Sequence, residues 1–312
     1  MKHAFILNPA SGNGRGAAQL QEEIRALMRE GTEEISCRLT AGEKDASILA
    51  SKLAEEAAAE GEEICIYACG GDGTLHEVVN GLIGHPNAML GVVPVGSGND
   101  FVRCFDSPER FRDLRRQLSA DVRPIDVLRY SWEQGGETRS DHYINGINIG
   151  FDGNTAILAH RLKELPGVSG TFSYILALVV NLIRKRGGDL RVTADGEVVH
   201  SGPLILCTAA NGRFCGGGFE SCPKAELDNG LIELLVVKDV TRRYFLKVVP
   251  DFKAGRLFEI DGVEKIATSR QAKQVVIEPA AGTMRFVADG EIMETGTITI
   301  DVLPKAVRLL VP

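Results

Sequence analysis

Gly70-Gly71-Asp72-Gly73-Thr74 combines three glycines with one acidic side chain, and its neighbours place it between a strand and a helix. The apolar run at residues 64–68 is typical of a buried strand, and an amphipathic segment follows the glycines. Thr74 and Glu77 have the spacing of a capping box, which predicts a helix that begins at Thr74. Glycines let a backbone approach an anion closely, and the N–H groups of a helix N terminus attract phosphate. The stretch therefore predicts a phosphate-binding turn.

The carboxylate of Asp72 predicts that a cation binds together with the phosphate. A carboxylate in a phosphate loop repels the ligand unless a positive charge lies between them, so Asp72 indicates Mg²⁺ carried in with a nucleotide. The alternative is a plain strand-to-helix turn, in which Gly, Asp and Thr serve only as turn and cap residues.

Two further glycine-rich stretches, residues 8–16 and 94–100, also follow short apolar strands. The first contains Arg15, which either reaches a phosphate or remains a solvated surface charge. Its glycine spacing matches neither G-x-G-x-x-G nor G-x-x-x-x-G-K-[ST]. The second ends in another acidic residue, Asp100. If the preceding strands are parallel, all three loops lie at the carboxyl edge of one sheet, where α/β proteins bind ligands.

The elements that carry these loops alternate between strand and helix, which predicts an N-terminal α/β nucleotide domain with a parallel, Rossmann-like sheet over residues 1–124. From residue 125 onward, short β-prone runs with closely spaced turn signals predict a mainly antiparallel β domain extending to residue 302. Helical patterns interrupt it at about residues 154–186 and 241–255.

Bulk properties limit the classes of function. The chain has 312 residues and a net charge of −7, which argues against a general nucleic-acid binder. The seven cysteines are scattered and form no Cys-x-x-Cys pair, which favours a reducing cytosol over a disulfide framework or a zinc site. The longest apolar run, residues 174–180, is far shorter than the ~20 residues of a membrane span. We therefore expect a cytoplasmic protein whose membrane contact is peripheral.

One basic cluster has two interpretations. Arg184-Lys185-Arg186 ends an apolar helical pattern, so it either closes a core helix or meets anionic lipid headgroups, and the core reading is favoured on general grounds.

Five motifs in order carry a family resemblance. They are Asn8-Pro9-x-Ser11-Gly12, Gly70-Gly71-Asp72-Gly73-Thr74, Pro94-x-Gly96-Ser97-x-Asn99-Asp100, Asn211-Gly212-Arg213-Phe214-x-Gly216-Gly217-Gly218 and Asp289-Gly290-Glu291. Together they resemble the diacylglycerol kinase catalytic family, and in particular its soluble bacterial lipid kinases. The resemblance implies a cleft between the two domains that holds ATP and Mg²⁺. It also implies that the C terminus, residues 303–312, returns to the first domain.

The resemblance also implies site residues. An ATP site is expected at Asn8, Pro9, Ser11, Gly12, Thr40, Gly71, Asp72, Gly73, Thr74, Glu77 and Ser97. Family members commonly carry Thr where this chain has Ser97, and either hydroxyl can donate to a phosphate. Asp72 and Asp100 would organise Mg²⁺ and its water shell, and Glu291 would be the general base for the acceptor hydroxyl.

Two features leave alternatives open. The tetrapeptide Ala-Asp-Gly-Glu occurs twice, ending at Glu197 and at Glu291, and Asp-Gly is a strong hairpin signal, so both copies could be only turns. The family position of the base selects Glu291. A second, structural Mg²⁺ would be held around Asp228, Asn229 and Leu231, but Asn229 stands where an aspartate is usual and is the poorer ligand.

The leading hypothesis is an ATP- and Mg²⁺-dependent lipid kinase that converts diacylglycerol to phosphatidic acid at a membrane surface. The alternatives are a kinase for another lipid alcohol or for NAD, and a nucleotide- or lipid-binding regulator without turnover. The sequence leaves the oligomeric state open, with a homodimer as one option.

Overall fold

The computed structural model describes residues 1–96, 98–150 and 188–312. The chain divides into two compact units: unit 1 is Met1–Val127 with Pro304–Pro312, and unit 2 is Leu128–Leu303. The helical pattern expected at about residues 154–186 and the basic cluster within it lie outside the described residues. Among the described residues, no helix has the length and apolar content needed to cross a membrane.

Unit 1 alternates strands with helices, as the sequence pattern predicts. Its first elements are β1 (Lys2–Leu7), α1 (Arg15–Glu30), β2 (Glu34–Leu39), α2 (Asp45–Ala59), β3 (Ile64–Gly70), α3 (Asp72–Leu82), β4 (Ala88–Pro94) and α4 (Leu114–Leu118).

The four strands form a parallel sheet in the order β2-β1-β3-β4. Every residue of β3 and β4 is buried, in keeping with strands covered on both faces. The last strand, β15 (Ile298–Val311), adds to this sheet by pairing parallel with β4 at Arg308 and Leu309. Parallel strands bring their carboxyl ends to one edge, so the loops after β1, β3 and β4 start side by side.

Unit 2 consists mainly of antiparallel strands. They are β5 (Asp121–Gln134), which begins in unit 1, β6 (Glu137–Tyr143), β7 (Gly146–Gly150), β8 (Gly188–Ala194), β9 (Glu197–Ala210), β10 (Ile232–Lys238), β11 (Ala267–Ala272), β12 (Gln274–Pro279), β13 (Met284–Ala288), β14 (Glu291–Thr295) and the first part of β15. A helix, α5 (Arg242–Lys253), follows β10.

The strands of unit 2 follow the order β14-β13-β7-β9-β8-β12-β15, and β10 and β11 extend from β9. Side chains from one face, among them Tyr130, Tyr143 and Phe286, form an apolar core, and α5 packs Phe245, Val248 and Phe252 into a second one. β14 pairs only with β13 among the described strands, so the hairpin that carries Glu291 lies at an edge.

His3 is a titratable group inside the core of unit 1. Its side chain is 4% exposed, and its Nδ1 lies 2.9 Å from the hydroxyl of Tyr67, which in turn donates to Gln117 O at 3.3 Å. Burial lowers the pKa of His3 below its ordinary value of 6.5, and the nearby Glu33 carboxylate only partly opposes this shift.

We expect His3 to make the stability of the protein pH-dependent. Its pKa is lower in the folded state, so its neutral form contributes stability above pH 6.5 that is lost as the pH falls below that value. The unfolding free energy of the wild type should therefore drop toward pH 5 more steeply than that of His3→Gln, measured by urea denaturation at several pH values. An equal slope for the two proteins would contradict this.

Candidate nucleotide and catalytic site

Asn8 joins the first glycine loop to the start of α3. Its backbone N–H donates to Cys69 O at 3.0 Å, and its side-chain Nδ2 donates to Thr74 Oγ1 at 3.2 Å. Its Oδ1 accepts the N–H of Ala10 at 3.0 Å, which closes the turn after β1. The loops after β1 and β3 are thus hydrogen-bonded to each other.

Asp72 joins the third loop to the same place. Its Oδ2 accepts the N–H of Asn99 and its Oδ1 accepts the N–H of Asp100, both at 2.9 Å. Upstream, Gly70 O accepts the N–H groups of Val95 and Gly96 at 2.8 and 3.1 Å. A charged carboxylate forms stronger hydrogen bonds than a neutral acceptor, so Asp72 fixes the loop after β4 against the N terminus of α3.

Glycine is required where these loops touch. A Cβ on Gly96 would lie 2.5 Å from the Cα of Gly71, and a Cβ on Gly12 would lie 2.9 Å from Val95 O. Gly12 also has a φ of +60°, which disfavours other residues. The backbones of the three loops therefore pack directly on one another.

The first turn of α3 lies at this junction. The helix begins at Asp72 with Gly71 as its N-cap, and no side chain in the described part of the chain caps it. The predicted start at Thr74 with a capping box is wrong: Thr74 Oγ1 accepts from Asn8, and Glu77 Oε2 accepts the N–H of Ala46 at the start of α2, at 3.0 Å. Both side chains are hydrogen-bonded to residues far along the chain, so neither caps the helix. The backbone N–H groups of the first turn can then bind an anion.

Most of the other predicted ATP-site residues lie around this junction. Ser11 opens a short 3₁₀ turn and donates its N–H to Asn8 O at 3.1 Å, next to the exposed Pro9. Thr40 follows β2 and donates its N–H to Leu7 O at 3.0 Å, beside the end of β1. Gly71 and Gly73 flank Asp72 in the first turn of α3. Ser97 lies outside the described residues, and the carboxylate of Glu77 faces α2.

Asp100 is hydrogen-bonded to Asp72 through its backbone. Asp100 is 6% exposed, with its N–H on Asp72 and its Oδ1 3.6 Å from Arg103 Nε. In the described ranges, no group of three His, Cys, Asp or Glu side chains is placed to hold a metal ion. The carboxylates of Asp72 and Asp100, without a closed cage, suit a hydrated Mg²⁺ that also binds nucleotide phosphates, because Mg²⁺ usually keeps several waters and needs only one or two carboxylates.

The stretch proposed for a structural Mg²⁺ forms a local turn. Asn229 Oδ1 accepts the N–H of Leu231 at 2.9 Å, and Asp228 is half-buried beside it. The side-chain oxygen of Asn229 is thus already hydrogen-bonded to a backbone N–H two residues further along the chain. A metal at Asp228, Asn229 and Leu231 stays a prediction.

In unit 2, the two Ala-Asp-Gly-Glu copies form hairpins of the same kind. Ala288 pairs with Glu291 across β13 and β14, as Ala194 pairs with Glu197 across β8 and β9. The turn residues have positive φ, +46° and +98° at Asp289 and Gly290, as expected for a two-residue type I′ turn.

The two glutamates differ in their partners. Glu197 Oε2 accepts from Arg270 Nη1 at 2.7 Å. Across the described residues, no hydrogen bond or ion pair engages the exposed carboxylate of Glu291. Its charge acts on Tyr130, whose pKa is raised mainly by burial and further by the nearby carboxylates. Glu291 is therefore the carboxylate that is available to a ligand.

A buried loop in unit 2 carries the Asn211-Gly212-Arg213-Phe214 motif. Asn211 Nδ2 donates to Ile144 O at 2.9 Å, and Asn145 Nδ2 donates to Phe214 O at 2.8 Å. Sequence reasoning missed Asn145. Its only signal was an Asn-Gly pair inside a β-prone stretch, which indicates a turn and nothing more.

Comparisons with known proteins agree with this architecture. The sequence model of the diacylglycerol kinase catalytic domain matches residues 2–130, and that of the YegS C-terminal NAD kinase beta sandwich-like domain matches residues 145–311. A protein named "Probable lipid kinase YegS-like" from Chromohalobacter salexigens is 33% identical over 246 residues, covering 77% of this chain and 73% of that protein.

Two further proteins are similar along the whole chain. A diacylglycerol kinase from Mycobacterium tuberculosis is 26% identical over 313 residues, covering 100% of this chain and 95% of that protein. The crystal structure of a diacylglycerol kinase from Bacillus anthracis has a TM-score of 0.70 at 21% identity, covering 100% and 97% of the two chains. This likeness confirms the predicted fold class, an N-terminal α/β part and a mainly antiparallel β part.

We expect Gly96→Ala to disrupt the loop junction. The added Cβ meets the backbone of Gly71, which has no flexible side chain to move away. Overpacking of this kind costs about 1–3 kcal/mol, so the unfolding free energy should fall by about that amount. Gly42→Ala is the matched control, because a Cβ there has no neighbour within 4 Å. Equal stability of the two variants in urea denaturation would refute the packing described here.

Proposed function

We propose that this chain, which belongs to the diacylglycerol kinase family of lipid kinases, transfers the γ-phosphoryl group of Mg²⁺-bound ATP to the hydroxyl of diacylglycerol and forms phosphatidic acid. One observation carries the proposal beyond the family: the three glycine loops of unit 1 meet at the first turn of α3, whose N-cap residue is a glycine.

The phosphates of ATP would bind at this junction. The N–H groups of the first turn of α3 and its dipole attract negative charge, and the close backbone contacts at glycines 12, 71 and 96 hold the three loops around that turn. Ser11 lies at the same place, and Thr74 Oγ1, which accepts from Asn8, also carries a hydroxyl proton that can be donated. Because phosphoryl transfer depends mainly on positioning and charge stabilisation, a preformed loop cradle of this kind accounts for much of the expected rate enhancement.

Asp72 and Asp100 would hold Mg²⁺ together with its waters. When bound, the ion neutralises charge on the phosphates. Asp72 accepts the N–H groups of Asn99 and Asp100, and the two oxygens of a carboxylate offer about four lone-pair sites, so such a group can both fix a loop and bind a hydrated cation.

Glu291 would act as the general base. Its carboxylate takes the proton of the acceptor hydroxyl as that oxygen forms a bond to the γ-phosphorus, and the bond from phosphorus to the ADP oxygen breaks. The proposal requires that Glu291 act on the same nucleotide that the loops of unit 1 bind. Glu197 pairs with Arg270, whereas Glu291 has no ion pair in the described ranges. This difference supports the role of Glu291 as the base.

The enzyme would reach its lipid by peripheral adsorption. Arg15 begins α1 at the end of the first glycine loop and is exposed, so its charge can meet anionic headgroups. Reversal of this charge in Arg15→Glu should weaken co-sedimentation with vesicles of phosphatidylglycerol at low salt, where screening is weak. Arg25→Glu, an exposed position on the same helix, is the control. Equal loss in both variants would remove Arg15 from consideration.

Transfer of labelled γ-phosphate tests the activity itself. The protein is incubated with labelled ATP, with and without Mg²⁺, and with diacylglycerol, other lipid alcohols or NAD. Label in phosphatidic acid that requires Mg²⁺ is the expected result. Label only in another lipid or in NAD would identify that molecule, and not diacylglycerol, as the acceptor. ATP binding without transfer would favour a regulator.

We expect Glu291→Gln to abolish turnover while ATP still binds, because the amide keeps the shape of the side chain but cannot accept the proton. Loss of general base catalysis typically costs about 10²–10⁴-fold in rate. Glu197→Gln, in the other hairpin, should keep the wild-type rate. The reverse pattern, measured as kcat with calorimetric ATP binding, would assign the base to Glu197.

A further inference from the structure

Asp289 is a buried carboxylate at the tip of the hairpin that carries Glu291. It is 6% exposed and accepts three backbone N–H groups from one segment: Ile144 N at 2.7 Å on Oδ2, and Asn145 N and Gly146 N at 3.0 and 2.9 Å on Oδ1. Its own N–H donates to Gly146 O at 3.2 Å. These bonds fix the turn on both sides, since both the side chain and the backbone of Asp289 are engaged by the 144–146 segment.

The same segment holds the Asn211-Gly212-Arg213-Phe214 loop. Asn145 O accepts the N–H groups of Asn211 and Gly212, both at 2.9 Å, and the Asn145 side chain donates to Phe214 O. Asp289 binds one side of Asn145 and this loop binds the other. The hairpin and the loop, which are far apart in the sequence, are therefore joined through one residue.

We propose that Asp289 is a positioning residue for the kinase reaction, which holds Glu291 in place by fixing its hairpin to the Asn145 segment. The inference rests on the proposed role of Glu291. Only Gly290 separates Asp289 from the base, and β14 is an edge strand with one neighbour among the described strands. The hydrogen bonds of Asp289 to the 144–146 segment, here called the clamp, supply the restraint that a second neighbouring strand would give. Displacement of a catalytic group by about 1 Å can cost about 10²-fold in rate.

The chain contains its own control. Asp195 occupies the matching place in the other Ala-Asp-Gly-Glu hairpin and also accepts backbone N–H groups, from Lys273 and Gln274 at 2.9 Å each. It is exposed, and the glutamate that follows it pairs with Arg270. A substitution at Asp195 removes a similar turn anchor without touching the proposed site.

The test compares Asp289→Asn with Asp195→Asn. An amide at 289 places an NH₂ donor against backbone donors, so at least one of the three bonds is lost. We expect kcat to fall at least tenfold in Asp289→Asn, with ATP affinity and the number of ATP sites per chain unchanged in calorimetry. Asp195→Asn should keep the wild-type kcat. A general structural role predicts fewer competent ATP sites instead, and equal kcat in both variants would overturn the proposal.

Hydrogen–deuterium exchange on the apo protein measures how firmly the clamp holds these segments, independently of turnover. In Asp289→Asn, exchange should rise in the 284–295 hairpin and also at residues 144–146 and 211–214, and in Asp195→Asn it should rise at neither place. If the wild type transfers phosphate to no acceptor but this coupling is present, the proposed function fails and the clamp stands. If exchange at 144–146 and 211–214 is unchanged, the clamp fails whatever the activity.

A second pair of variants covers the case in which Asp289→Asn does not fold. Gly290→Ala and Gly196→Ala each place a Cβ in open space at a positive φ, +98° and +82°, so each strains only its own turn. We expect kcat to fall in Gly290→Ala alone. Equal activity of these two variants would overturn the inference that the 289–290 turn holds Glu291 in position.

Discussion

The close approach of two backbones, at Gly71 and Gly96, is the constraint on which the arrangement of unit 1 depends. The turns after β3 and β4 can share one place only because neither has a side chain at the contact. Once they touch, Asp72 reaches the N–H groups of Asn99 and Asp100, and Thr74 reaches Asn8. The glycines thus permit the contact, and the polar side chains then fix it, so that the N terminus of α3 is held among the three loops.

Aspartate carboxylates that accept backbone N–H groups recur as the means of fixing loops in both units. Asp72 does so between neighbouring loops of unit 1, and Asp289 does so between a hairpin and a segment about 145 residues earlier. Asp126, which is 1% exposed, accepts the N–H of Lys305 at 2.8 Å and so anchors the returning C-terminal strand in unit 1. A carboxylate with two oxygens can accept several hydrogen bonds at once, which explains why one aspartate can fix several backbone positions of a loop.

The sequence predicts most of what depends on local pattern. Strand and helix alternation gave the parallel sheet, and closely spaced turn signals gave the antiparallel unit. Local reasoning failed where a distant partner decided the outcome: Thr74 and Glu77 have the spacing of a capping box, yet Asn8 and Ala46 bind them instead. The two Ala-Asp-Gly-Glu copies are identical by sequence, and the difference between their glutamates comes from Arg270, 73 residues away from Glu197. The importance of Asn145 likewise arises only from contacts with segments far along the chain.

The last strand has a consequence for how the molecule is made. Pro304–Pro312 belongs to unit 1, and Leu310, 4% exposed, packs in the same core as Leu27 and Leu114. A ribosome delivers these residues only after all of unit 2 has been synthesised, so one flank of β4 in the sheet of unit 1 stays uncovered until they emerge. Unit 2 is then an insertion within unit 1, and its folding shortens the effective loop that the chain has to close before this strand can dock.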